Sequence, residues 1–304
     1  MTVRHLGKKT IFVSLACLWL LIGGCGSQVS SSVPPAPKQD TAVSEAKPAA
    51  PKVENISDSA YITASDDFGN LALNNPSLPV YDRYTLGERR AKGLPVALPA
   101  VAPYEKQKTA YLTFDDGPDE KNTDAILDIL KQEGVKATFY VVGRNVKAYP
   151  ETAKRIFDEG HALGNHSYDH DYDRLYASVD NYLEEMEEAD DAIYSLIGRR
   201  PLITRAPGGR MSHFTEAYDA VTAENGYVEH DWNVSSADSD PNGPVAQDFI
   251  DNIAGQTTMD SAIILMHSSA GHEETVKALP EIIRVLREKG YAFGVVTPMT
   301  PQPW

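Results

Sequence analysis

From Lys108 onward the chain alternates short apolar runs with amphipathic stretches, and no other feature constrains its fold as strongly. Runs at 109–114, 137–142, 161–165, 201–205, 227–232, 262–266 and 291–296 have the length of strands. The stretches between them carry helix-end signals: Pro150 opens a helix closed by Gly160, Ser178 caps one closed by Gly198, and Pro244 opens another. The last, over 273–289, puts Val276, Leu279, Ile282, Ile283 and Leu286 on one face and ends at Gly290, with Pro280 predicting a kink. Strands alternating with helices predict a mostly parallel α/β sheet, since a parallel pair needs a crossover that a helix supplies. Seven such units suit a closed or nearly closed β/α barrel better than an open doubly wound sheet. No glycine-rich phosphate loop follows any run, which argues against a nucleotide ligand.

The first hundred residues read differently. Arg4, Lys8 and Lys9 precede an apolar run, Ile11 to Ile22, that is short for a membrane span and has the flank of a secretory signal. It ends in "LIGGC", which resembles a bacterial lipoprotein signal: residues 1–24 would leave, and Cys25 would carry the lipid. Cys17 would leave with the signal, so the mature body is expected to have no free thiol and no disulfide. Residues 25–58, rich in Ser, Pro, Ala and Lys, are expected to be a disordered tether with an r.m.s. reach of roughly 30 Å. Residues 59–106 show no clear periodicity and are expected to form an irregular arm, and 298–304 a C-terminal tail. The formal charge of −15, made more negative by loss of the signal, disfavours nucleic acid and anionic headgroups as partners.

In a β/α barrel, chemistry gathers at the carboxyl ends of the strands. There the sequence places Asp115 and Asp116, then "GNHSYDHD" with His166 and His170, "RAPGG" with Arg205, "HDWNVSSAD", and "IILMHSS" with His267. Each alone has a bland reading, as a turn, a solvated helix face or a surface charge. Together, two imidazoles and a carboxylate make a three-ligand set that leaves a coordination position open. A bound cation would also meet the cost of adjacent carboxylates at the end of a buried strand.

"TFDDGP", "HSYDH", "RAPGG" and the histidine after "IILM" resemble the ordered motifs of the NodB-like polysaccharide deacetylases, carbohydrate esterase family 4, over residues 107–297. The resemblance implies a distorted (β/α)7 barrel and metal-dependent hydrolysis of N-acetyl groups on a polysaccharide. It implies Asp116, His166 and His170 as ligands of a divalent metal, usually zinc, with cobalt, nickel or manganese as alternatives. Asp115 would be the general base, Arg205 its charge partner and His267 the general acid. Pro207, Gly208, Trp232 and Asp238 would contact the sugar.

The chain departs from that family in its fourth motif. Aligned on Trp232, Ser235 stands where an aspartate would contact the acid histidine, Asp238 keeps a second aspartate, and Ser239 replaces a tryptophan. His267 is therefore expected to lack its charged partner unless Asp231 or Asp238 substitutes, and its pKa to be lower for that reason. With the anchor, the resemblance implies an extracytoplasmic enzyme acting on an acetylated cell-wall glycan, with peptidoglycan N-acetylglucosamine or N-acetylmuramic acid first. Chitin oligomers and acetylated xylan are alternatives, as is a glycan-binding lipoprotein with impaired catalysis.

Overall fold

The computed structural model describes residues 60–71, 78–105 and 107–303. The expected signal, Cys25 and the tether lie outside them. Eleven strands occur among the described residues: β1 (Ile62–Thr63), β2 (Val80–Asp82), β3 (Thr109–Asp115), β4 (Thr138–Val141), β5 (Ala162–Asn165), β6 (Arg200–Pro201), β7 (Ile203–Thr204), β8 (Val228–Glu229), β9 (Val234–Ser235), β10 (Ser261–His267) and β11 (Ala292–Gly294). The main sheet is parallel throughout and runs β8-β7-β5-β4-β3-β10-β9. It curls into a half-barrel of the (β/α)7 kind. β10 lines one side of β3 along its whole length, whereas β11 meets Thr109–Tyr111 and β4 meets Thr113–Asp115.

β3 shows why this register places a site. Ala110, Leu112 and Phe114 join the core beneath the helices, with Ile126, Leu127, Leu279 and Ile283. Tyr111 joins a second cluster inside the curl, with Tyr140, Ala162, Ile203, Ile263 and Val295. Strand residues alternate between faces, so Thr113 and Asp115 share the inner face with Tyr111. By the same alternation His166, Arg205 and His267 continue the inner rows of Ala162, Ile203 and Ile263.

Three expectations need correction. The run 201–205 is split: Arg200–Pro201 pairs antiparallel with β2 in a small second sheet, and only Ile203–Thr204 joins the main one. The run 227–232 yields a two-residue strand, and β9 follows it at "VS", whose one apolar residue, Val234, is too little alternation to mark a strand. Residues 59–106 are not simply irregular, since they hold β1, β2 and a helix, Leu86–Lys92, closed by a Thr85–Glu88 capping box. The final helix, Glu273–Glu288, runs through Pro280 and buries Leu279, Ile282, Ile283 and Leu286.

This amino-terminal part is tied to the site by buried charges. Arg89 pairs with Asp82, both wholly buried; Arg200 lies 3.5 Å from Asp82 and from Asp190; and the Asn165 amide donates to Asp190 at 2.7 Å. Asn165 precedes His166. The carboxyl end packs too, with Met299 buried and the Thr300 carbonyl 3.2 Å from His230 Nε2.

One glycine makes the inner face possible. A Cβ on Gly164 would come within 2.4–2.6 Å of the Tyr140 ring, which lies under the Arg205 guanidinium at 4.3 Å. Gly164→Ala is expected to cost about 2 kcal/mol through overpacking and to lower Tm by about 4–8 °C in a thermal melt. Tyr140→Phe, which removes a hydroxyl without a hydrogen-bond partner, should leave Tm unchanged or raise it.

Candidate active site

Adjacent residues of a strand point to opposite faces, so Asp115 and Asp116 should not serve one site. They do, because the backbone turns at Asp116, whose φ of +68° lies in the left-handed region that side chains seldom adopt. Asp115 Oδ2 is 3.8 Å and Asp116 Oδ1 3.4 Å from His166 Nε2. His170, also left-handed at φ +59°, brings Nε2 to 3.3 Å from the same Asp116 oxygen.

Asp115 is buried and meets Arg205, whose Nη1 donates to Asp115 Oδ1 at 2.9 Å and to Thr113 Oγ1 at 2.7 Å. Arg205 is itself fully buried. Its remaining donors reach the carbonyls of His230 at 2.9 Å and Asp231 at 3.2 Å, and its faces meet Tyr140 and Trp232. Thus a guanidinium away from water makes four hydrogen bonds, one of them to a carboxylate, and lies against two aromatic rings, which offsets much of the cost of burying such a charge.

Asp116, His166 and His170 form a group whose ligand atoms lie within 4.8 Å of one another. Asp116 Oδ1 is buried and has no hydrogen-bond partner. An orphaned carboxylate oxygen facing two imidazole nitrogens is a cost unless a cation completes it. A tetrahedral ion with bonds of about 2.0–2.1 Å sets its ligands about 3.3–3.4 Å apart, close to the two spacings found around Asp116 Oδ1. The Nδ1 of His166 lies 2.8 Å from the Arg205 carbonyl, which fixes the tautomer that leaves Nε2 free to ligate. The field agrees with the geometry. Burial raises the Asp116 pKa, but His166, His170 and His267 outweigh it and hold the carboxyl well below the usual range. The residues present therefore fit a divalent cation. A second group, Asp238, His267 and His272, fits less well, because both Asp238 oxygens are already engaged.

That engagement decides between the two substitutes the sequence left open for His267, in favour of Asp238 over Asp231. The histidine does not lack a charged partner: its Nδ1 donates to Asp238 Oδ1 at 2.7 Å, and its backbone N–H donates to Asp238 Oδ2 at 2.8 Å. Thr275 holds Oδ2 as well, at 2.7 Å. Burial would lower the imidazole's pKa, but the Asp238 hydrogen bond and charge prevail, with help from Asp115 and Asp116, and raise it to about 9. The lowering expected without a carboxylate contact therefore does not arise, because Asp238 supplies that contact. Ser235 lies apart, its Oγ accepting from the Ala237 N–H, and Asp231 instead accepts the Arg210 N–H. His267 is the register partner of Asp115 on the neighbouring strand, which sets the two side by side.

These groups open into a cleft of about 330 Å³ lined also by Tyr172, Gly208, Trp232, Ser239 and Leu265. Of the four residues expected to contact sugar, Gly208 and Trp232 line it. Pro207 is buried, with its carbonyl taken by the Tyr176 hydroxyl at 2.7 Å, and Asp238 stands behind His267. Tyr172 and Thr113 were missed. Inner-face parity marks Thr113, and nothing but proximity in sequence to His170 marks Tyr172.

The family profile described as polysaccharide deacetylase matches residues 103–229. A peptidoglycan-N-acetylglucosamine deacetylase of Bacillus cereus is 39% identical over 193 residues, 62% of this chain and 69% of that protein. A peptidoglycan-N-acetylmuramic acid deacetylase of Bacillus subtilis is 33% identical over 189 residues, 62% and 70% of the two chains. The crystal structure of a polysaccharide deacetylase from Bacillus cereus superposes with a TM-score of 0.58 at 39% identity, covering 62% of this chain and 92% of that one.

A raised histidine pKa makes a prediction about stability. Proton binding to folded His267 favours the folded state fully below its unfolded pKa of about 6.5, and that contribution is lost as pH rises through about 9. An NMR titration of metal-free protein should place the ring near pH 9, and Asp238→Asn should move it down by at least one unit and flatten stability between pH 6.5 and 9.

Proposed function

Because the chain belongs to the polysaccharide deacetylases, we propose that it hydrolyses N-acetyl groups on peptidoglycan N-acetylglucosamine or N-acetylmuramic acid, releasing acetate and a free amine. The observation that carries this reading is the orphaned Asp116 oxygen between two imidazoles, beside an arginine-paired carboxylate and opposite a carboxylate-paired histidine. Asp116, His166 and His170 would hold the cation, with zinc the first choice and cobalt, nickel or manganese compatible with the same donors. When bound, such an ion supplies Lewis acidity to water and to an amide carbonyl.

The chain's own residues do the rest. Asp115 Oδ2, turned toward the metal group while Arg205 holds Oδ1, takes the proton of the attacking water. Arg205, fixed by Thr113 and two carbonyls, keeps that carboxylate oriented. As the C–O bond forms and the C–N bond breaks, His267 delivers a proton from Nε2 to the departing nitrogen. Asp238 retains the Nδ1 proton and stabilises the charged ring. Gly208 and Trp232 offer a backbone edge and an indole face to the sugar, and Leu265 an apolar wall for a methyl group.

Lipidation at Cys25 and the tether to residue 58 would hold this head at the outer face of the membrane, within reach of the wall. A non-catalytic glycan-binding role drew its support from the altered fourth motif, and the Asp238–His267 pair removes that support.

Acetate release from purified peptidoglycan, with chitin oligomers and acetylated xylan in parallel, tests the reading. Release should be abolished by a chelator, restored by zinc, and lowered by about 10²- to 10⁴-fold in Asp115→Asn. Metal bound stoichiometrically without release from any polymer would reject it in favour of glycan binding.

A further inference from the structure

Among the described residues three large hydrophobic side chains are exposed, Tyr172 at 41%, Met211 at 93% and Val245 at 54%, and the first two stand on neighbouring turns beside the cleft. Tyr172 lines the cleft itself. Its ring meets the edge of His170 at 5.2 Å and lies over Gly208, where a Cβ would approach a ring carbon to 2.8 Å, so the ring occupies space that only glycine leaves. His213, 5.7 Å from Tyr172, stacks on Tyr176 at 4.1 Å with planes 9° apart, and this stack seats the turn Arg210–His213 that carries Met211. Tyr172 in the cleft and the exposed Met211, three residues past Gly208, are thus carried on two turns joined through His213.

We propose that Tyr172 and Met211 form a subsite for a neighbouring sugar of the same glycan strand, beyond the ring whose acetyl group sits at the metal. The inference rests on the deacetylase reading and deepens it by assigning a side of the cleft to the polymer. A pyranose presents an apolar face of C–H groups and a polar rim, and an aromatic ring with one polar tip matches both. Continuity with the cleft selects the occupant. Arg205 beneath the cleft is buried and paired with Asp115, Arg174 and Arg210 on the two turns are paired with acids, and the chain's charge of −15 disfavours an anionic lipid surface.

The test compares N-acetylglucosamine oligomers of two and five sugars, using the full chain in detergent loaded with zinc. The five-to-two ratio of kcat/KM should fall about tenfold in Tyr172→Ala, the scale for losing one half-exposed aromatic contact, and persist in Tyr172→Phe. Met211→Asp, at a position too exposed to affect folding, should lower the same ratio several-fold. Metal content should match wild type in every variant. An unchanged ratio, or equal losses on both oligomers, would overturn the subsite and leave Tyr172 as a support for His170. If wild type releases no acetate from either oligomer, release from peptidoglycan measured in parallel decides the deacetylase reading separately. Cosedimentation with insoluble peptidoglycan then decides the subsite: weaker retention of both Tyr172→Ala and Met211→Asp upholds it, and equal retention rejects it.

Discussion

The pairing of Arg205 with Asp115 in the floor of the cleft is the constraint on which the rest of the site depends. Both groups are removed from water, and removing either partner of such a pair commonly costs about 3–5 kcal/mol because the other charge is stranded. The fold therefore spends much of its local detail on holding the pair: Thr113, two carbonyls, the Tyr140 face and the empty Cα side of Gly164 all serve Arg205. With Asp115 thus neutralised, the positive charge demanded by the second carboxylate must come from elsewhere. The imidazoles of His166 and His170 are turned toward Asp116 by a local backbone conformation that ordinary strand geometry would not give.

Much of this was legible in the amino-acid sequence because parallel barrels obey two periodicities. Short apolar runs alternating with helices gave the sheet, and the rule that polar groups gather at carboxyl ends selected Asp115, Asp116, His166, His170, Arg205 and His267. What parity cannot show is a residue that breaks it, and Asp116 does so by adopting a positive φ. The histidine's partner was hidden for a related reason. Counting from Trp232 made Ser235 the equivalent position, but β9 ends at Ser235, and the turn beyond it, with Ala237 at φ +63°, carries Asp238 back under His267. β7 and β8 fall inside readable runs, whereas β1 and β9 lie outside any and β6 straddles the edge of one, so those three were resolved only in the structure.

The segment before β3 gains a meaning it lacked in the sequence. Its buried charges, Asp82 and Arg89, join Arg200 and Asp190 in a chain that ends on Asn165, next to His166 of the candidate metal group. Buried ion pairs are weak evidence of stability, since well-packed apolar residues often serve as well. Here they link three elements distant in sequence and fix the strand from which His166 projects, so the arm belongs to the framework of the site.

The central claim is that Asp116, His166 and His170 hold a divalent cation while Asp115 stays free beside it. An anomalous-scattering map of crystals grown with zinc tests it most directly. One strong peak is expected about 2.0–2.2 Å from an Asp116 oxygen and from Nε2 of both histidines, with Asp115 still paired to Arg205. A peak bound by Asp115, or one seated instead among Asp238, His267 and His272, would contradict it.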